Sequence, residues 1–154
     1  MTKSDGGYSL VELALVIAIV GILTALATPS FLTYYQAAVL RSAAAQVATV
    51  VNQGRQLGIK ENTGVCVHIA STAVQYKLGT SCGGAAWTGP GTDASGNTAA
   101  PTGVTLSTTA DPVFGYLGEG RTGGSITVTN AQTGATLFVC VAVSGRVSVR
   151  DSCS

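Results

Sequence analysis

Charge is scarce in this chain. Lys, Arg, Asp and Glu make up 10% of the 154 residues, and the formal net charge is +1. No global basic field exists to attract nucleic acid, so any such contact has to be local. Histidine occurs once, at His68, and the acidic residues are scattered among loops and ends. That set assembles no acid–base or nucleophilic centre. His68 therefore reads as a structural strand residue, the chain reads as a non-enzyme, and no cofactor is called for. No C-x-x-C pair is present, which leaves a zinc site without support. Asp93, Asp111, Glu119 and Asp151 match no calcium-loop spacing, so no metal is expected. Tandem repeats are absent too.

What the chain does have is a long apolar run. No charged residue occurs from Leu13 to Leu40. At a rise of ~1.5 Å per residue, its ~18 most apolar positions span ~27 Å, about a bilayer core. A buried helix of a soluble domain is seldom this apolar on every side. Glu12 stands at the mouth of the run, where an unpartnered carboxylate in hydrocarbon costs at least ~2.5 kcal/mol. An ordinary cleaved signal accounts for Lys3, the apolar Leu13–Thr24 and the A-x-A at Ala25–Ala27. It leaves an acid at the start of the apolar core. A plain single-pass anchor explains the length but neither Gly6-Gly7-Tyr8 nor Glu12.

The stretch GGYSLVELALVIAIVGILTALATPSF, Gly6 to Phe31, resembles the N-terminus of type IV pilins and type II secretion pseudopilins. The resemblance implies a leader peptide over 1–7, MTKSDGG, cut between Gly7 and Tyr8 by a prepilin peptidase on the cytoplasmic side. Tyr8, where most members carry Phe, would then be N-methylated. Glu12 falls at the fifth mature position, where the family pairs it with the N-terminal amine of the next subunit. Such a charge acts as a register device, because a wrong stagger leaves it unpaired. Pro29 also stands where many members have proline. Membrane lipid would hold the subunit before assembly. Other pilin or pseudopilin subunits and the inner-membrane assembly platform would be its later partners. The subunit would start as a single-pass inner-membrane protein with a periplasmic globular domain. It would end in a periplasmic pseudopilus or an extracellular pilus.

Beyond Pro29 the positions Val39, Ala43, Val47, Val50, Gly54 and Leu57 form one helical stripe, with Arg41, Gln46, Gln53, Arg55 and Gln56 off it. A helix apolar all round over 8–34 thus becomes amphipathic over 35–62. Gly21 and Pro29 are its soft points; proline removes a backbone hydrogen bond. Asn62 and Gly64 supply stop residues. From 63 to 154 the composition turns to Gly, Thr, Ser, Ala and Val, suited to strands and turns. Alternation marks strands at Val65–Ile69, Val74–Leu78, Gly103–Ser107, Ser125–Asn130, Ala135–Val143 and Arg146–Arg150. The last two read as a hairpin closed at Ser144-Gly145. Gly79–Thr102 shows no pattern and reads as a surface loop plugged onto the sheet by Trp87. The expected architecture is α+β, a long N-terminal helix whose outer half lies on an antiparallel sheet.

Three stretches resemble the GspH/FimT group of minor pilins and pseudopilins: NQGRQLGIKENTGVCVHIA, GYLGEGRTGGSITVTN and VCVAVSGRVSVRDSCS. The cysteines fit this picture. An even count behind an export-type N-terminus points to disulfides in an oxidising compartment. Cys66, Cys82, Cys140 and Cys153 allow about three connectivities, and strand alternation does not decide among them. Cys66–Cys82 with Cys140–Cys153 is favoured, each closing a modest loop. In FimT-like proteins a Gly-Arg-x-Arg turn is implicated in DNA contact. Here Gly145-Arg146-Val147-Ser148 keeps the first arginine only, and Arg150 is the next basic residue. Two arginines give weak, salt-sensitive phosphate contact. The leading expectation is a minor pilin or H-type pseudopilin that works by assembling. A DNA-binding minor pilin for natural transformation, contacting DNA through Arg146 and Arg150, is the alternative. A secreted binding domain with a discarded signal ranks third.

Overall fold

The computed structural model describes residues 9–153, the side chains of 26–30 excepted. Helix α1 runs from Leu10 to Lys60. The compact units of the chain divide between Gln36 and Ala37. The second unit carries the outer part of α1 and nine strands: β1 (Val65–Ile69), β2 (Ala73–Leu78), β3 (Asn97–Ala99), β4 (Val104–Thr108), β5 (Val113–Phe114), β6 (Gly120–Thr122), β7 (Gly124–Asn130), β8 (Thr136–Val141) and β9 (Val147–Arg150).

The strands form two antiparallel sheets rather than the single one expected. The first has the order β3-β2-β1-β5-β6, the second β4-β7-β8-β9. Strands β3, β5 and β6 are two or three residues long, too short to show alternation in sequence. The sheets meet where the Leu106 amide donates to the Ser71 carbonyl at 3.0 Å.

Both sheets and α1 share one core. Val65, Val67, Tyr76 and Phe114 come from the first sheet, and Leu106, Ile126, Val128 and Val139 from the second. Ala44, Val47 and Val51 come from the helix. Each buried valine, leucine or isoleucine among them contributes ~1.5–3 kcal/mol. The buried helix stripe is Leu40, Ala43, Ala44, Val47, Val51, Gly54 and Leu57. It is centred slightly differently from the expected one: Val39 and Val50 sit half-buried at its margin. Gly54 explains the rotation. A Cβ there would lie 2.5 Å from Val67 Cγ2 and 3.2 Å from the Tyr76 ring. The helix therefore meets β1 and β2 most closely along the glycine's own face.

Tyr76 ties the helix to the sheet by donating its hydroxyl to the Val50 carbonyl at 2.9 Å. Burial pushes its phenol up to about 12, against a smaller lowering from a hydrogen bond with Thr98. Trp87 packs edge-on against Tyr76, the ring centroids 6.2 Å apart. Its amide donates to the Tyr76 carbonyl at 2.8 Å. The indole thus closes the long loop onto the core, as its isolation in sequence suggested. Asp93 organises the rest of that loop, its Oδ1 accepting from the Ser95 and Asn97 amides at 2.8 Å. The Asn97 amide holds the Asp93 carboxyl below the usual carboxylate range.

The helix ends at Lys60, just ahead of Asn62 and Gly64, the expected stop residues. Asn62 adopts φ 48°. The Asn62 amide donates to Ile59 O at 3.3 Å and the Thr63 amide to Gly58 O at 3.1 Å. That is a Schellman cap with asparagine in the left-handed position; Gly64 lies beyond it.

Candidate functional site

Glu12 lies in the first turn of α1, where the exposed amides of the helix N-terminus favour a carboxylate. Among the described residues no cation lies within salt-bridge distance of it. Around and beyond it every described side chain up to Ala25 is exposed. Leu10 is 85% exposed, Ile17 63% and Leu23 61%. An apolar surface this continuous exceeds what monomeric proteins present to water and requires lipid or other apolar helices as cover. Thr24, the single hydroxyl residue between Leu10 and Ala25, donates to the Val20 carbonyl at 2.6 Å. It therefore adds no orphan donor to that surface. Gly21 has nothing within 4 Å of the position its Cβ would take.

Backbone hydrogen bonding carries α1 through both Gly21 and Pro29. Gly7 and Tyr8, the expected cleavage site, lie outside the described residues, as does the side chain of Pro29. Among the described residues no helix is long and apolar enough to cross a membrane. The continuous run of described side chains ends at Ala25.

The second cluster is the β8–β9 hairpin. Its turn closes with the Gly145 amide donating to Ala142 O and the Ala142 amide to Arg146 O, both at 2.9 Å. Gly145 has φ 78°, the left-handed residue such a bulged turn needs. A Cβ there would also strike the Gly118 carbonyl. That same carbonyl accepts from Arg55 Nε at 2.7 Å. Arg55, read in sequence as merely off the stripe, thus pins the 115–119 turn to α1 next to the hairpin tip.

Pairing of Cys140 with Ser148 and of Phe138 with Arg150 sets the alternation of β9. Arg146, Ser148 and Arg150 share one face. With Ser125, Ser144 and Cys140 they line an open cleft of about 530 Å³ that has no acidic side chain in its wall. Both arginines are exposed.

The cysteines are joined as Cys66–Cys82 and Cys140–Cys153, Cα atoms 5.2 and 5.6 Å apart. Cys66, Cys82 and Asp111 come within metal-ligand distance of one another, but both sulfurs are committed to the disulfide and offer no thiolate. His68 Nδ1 lies 2.7 Å from Asp111 Oδ2. Asp111 Oδ1 accepts from the Ile69 amide at 2.9 Å. Asp111 therefore clamps the segment before β5 to β1, a role its sequence position beside Pro112 barely signals. No thiol is free to act with this histidine.

A prokaryotic N-terminal methylation motif matches residues 2–28. No curated protein matches the chain. Among solved structures, the crystal structure of the type IV minor pilin FimU from Pseudomonas aeruginosa (strain PAO1) is similar, with TM-score 0.52 and 11% identity. The match covers 72% of this chain and 87% of that one. At that identity the likeness establishes the fold, and it is α+β and type IV pilin-like. The chain thus carries an N-terminal methylation motif ahead of a type IV pilin-like fold.

Proposed function

We propose that the chain is a structural subunit of a bacterial type IV filament, a minor pilin that assembles through its N-terminal helix. The observation that carries this reading is the helix itself. From Leu10 to Ala25 it is exposed on all sides and apolar but for one carboxylate in its first turn, and a methylation motif covers that start. Prepilin peptidase would cut between Gly7 and Tyr8, and the methylated amine of Tyr8 would pair with Glu12 of the neighbouring subunit. Before assembly, residues 8–34 would sit in the inner membrane. Extrusion through the assembly platform would then exchange lipid for neighbouring helices. Gly21 and Pro29 are the places where such a helix can bend or loosen.

The exchange needs no new polar partners except for Glu12. An unpaired carboxylate in that apolar core costs at least ~2.5 kcal/mol, roughly a 70-fold penalty on a mis-staggered subunit. Two measurements test the reading. The first is the N-terminus and intact mass of protein from its native membrane: Tyr8, heavier by one methyl group, is expected. A chain starting at Thr28 means ordinary secretion and ends it. The second is filament incorporation of Glu12→Ala, expected to fall steeply while the disulfide-bonded domain stays folded. Normal incorporation removes the pairing role.

The GspH/FimT subgroup is the finer assignment, supported by the three stretches quoted above. Whether the filament is a pilus or a secretion pseudopilus follows from which machinery takes up the subunit. A second reading, DNA contact during uptake, draws on Arg146 and Arg150 facing one acid-free cleft. Gel shifts at low salt, wild type against Arg146→Ala, test it; equal or absent retardation ends it.

A further inference from the structure

Strand β9 is the edge of the second sheet. The Ala142 amide bonds the Arg146 carbonyl, and the register then alternates. Arg146, Ser148 and Arg150 accordingly turn their main-chain groups toward β8, and Val147 and Val149 turn theirs away from it. Those outward N–H and C=O groups form a short open ladder. Its side chains differ by face. Val147 and Val149 pair with the buried Val141 and Val139, yet Val149 remains 39% exposed, an apolar seat at the margin of the core. Arg146 and Arg150 occupy the other face, without an ion pair among the described residues.

We infer that the free edge of β9 is a strand-addition site for an extended segment of a partner protein. That segment alternates apolar residues, over Val147 and Val149, with acidic residues across from Arg146 and Arg150. An added strand satisfies the open ladder and continues the sheet. Its apolar side chains cover the exposed part of Val149, and its carboxylates meet two cations. A second copy of this chain fits poorly. In the antiparallel register of fullest overlap, β9 against β9 sets Arg146 opposite Arg150 in both halves, and like charges directly opposed are destabilising. The edge thus repels itself and selects an acidic-faced stranger.

The test uses the full chain in detergent micelles, with two synthetic peptides as probes. One alternates valine with glutamate; the other alternates valine with lysine. The glutamate peptide is expected to bind about tenfold more tightly, the scale of two cross-strand charge pairs, and to slow hydrogen exchange at the Val147 and Val149 amides. Val149→Pro removes an outward donor, which edge strands tolerate, and is expected to abolish that binding. Should that variant unfold, Arg146→Glu with Arg150→Glu serves instead and is expected to invert the preference toward the lysine peptide. Equal binding of both peptides, unchanged exchange at the two valines, or an uninverted preference overturns the inference. So does protection of these amides by duplex DNA and by neither peptide.

Discussion

Replacing Gly54 with alanine isolates the closest approach in the domain. On an open helix this change stabilises by ~1 kcal/mol, because glycine is the weaker helix former. Here the new methyl would lie 2.5 Å from Val67 Cγ2 and 3.2 Å from two atoms of the Tyr76 ring. Neither neighbour can retreat. Val67 is fully buried and has a stiff β-branched side chain. Tyr76 is held by its hydroxyl at the Val50 carbonyl. Overpacking costs ~1–3 kcal/mol, and two immobile neighbours place this site at the upper end. The net expectation is a loss of ~1–2 kcal/mol after the propensity gain. Urea unfolding of the full chain in detergent, followed by the fluorescence of Trp87, measures it. That indole is the chain's single tryptophan and packs on Tyr76. Val67→Ala removes the clashing methyl. The double mutant should therefore be ~1–2 kcal/mol more stable than the two single losses predict. Gly54→Ala that stabilises, together with zero coupling to Val67→Ala, refutes the reasoning. Such a result would mean that the helix face is set by something other than this contact.

The disulfides and the buried tyrosine carry two further expectations. Cys140→Ser with Cys153→Ser should lower stability by ~3 kcal/mol, the loop-closure value for a separation of 13 residues. Its far-UV spectrum should keep its strand signal; urea midpoints with circular dichroism check both. Tyr76 gives a pH dependence. Burial pushes it up to about 12, above the 10.0 of a free phenol, so its stabilising contribution is complete below pH 10 and declines as pH rises toward 12. Discounted for partial screening, the shift corresponds to a loss of ~1–2 kcal/mol. Unfolding free energies at pH 9 and pH 11.5, wild type against Tyr76→Phe, should show the difference in the wild type alone.

Long periodic features were legible in the sequence and short ones were not. The helix could be read because its apolar run and its stripe each extend over many turns. The six alternating runs all contain strands of the structure. Strands β3, β5 and β6 escaped because alternation needs more residues than they possess, and with them went the division into two sheets. The one-residue rotation of the buried stripe escaped for another reason. Leu40 and Val39, or Val51 and Val50, are equally apolar, and only contact with Val67 and Tyr76 selects between them. The same limit hid Arg55 and Asp111. Each acts on a main-chain group far away in sequence, Gly118 for one and Ile69 for the other, and main-chain partners leave no mark in composition.

The scarcity of charge connects these observations. With few ionic groups, several can be assigned a task by their surroundings. Arg55 and Asp111 are half-buried and bonded within the domain, so they hold turns. Arg146 and Arg150 are exposed beside an open ladder and are free to meet a partner. Glu12 differs from both pairs. The surface around it is apolar in every direction, and the chain places no described cation near it. A helix N-terminus can stabilise a carboxylate by ~0.3–1 kcal/mol, which falls short of the ~2.5 kcal/mol or more that burial in an apolar environment costs. Covering the helix, by any apolar partner, therefore demands a positive group from outside it. The free amine proposed above, at the start of a neighbouring helix, has the charge to supply one.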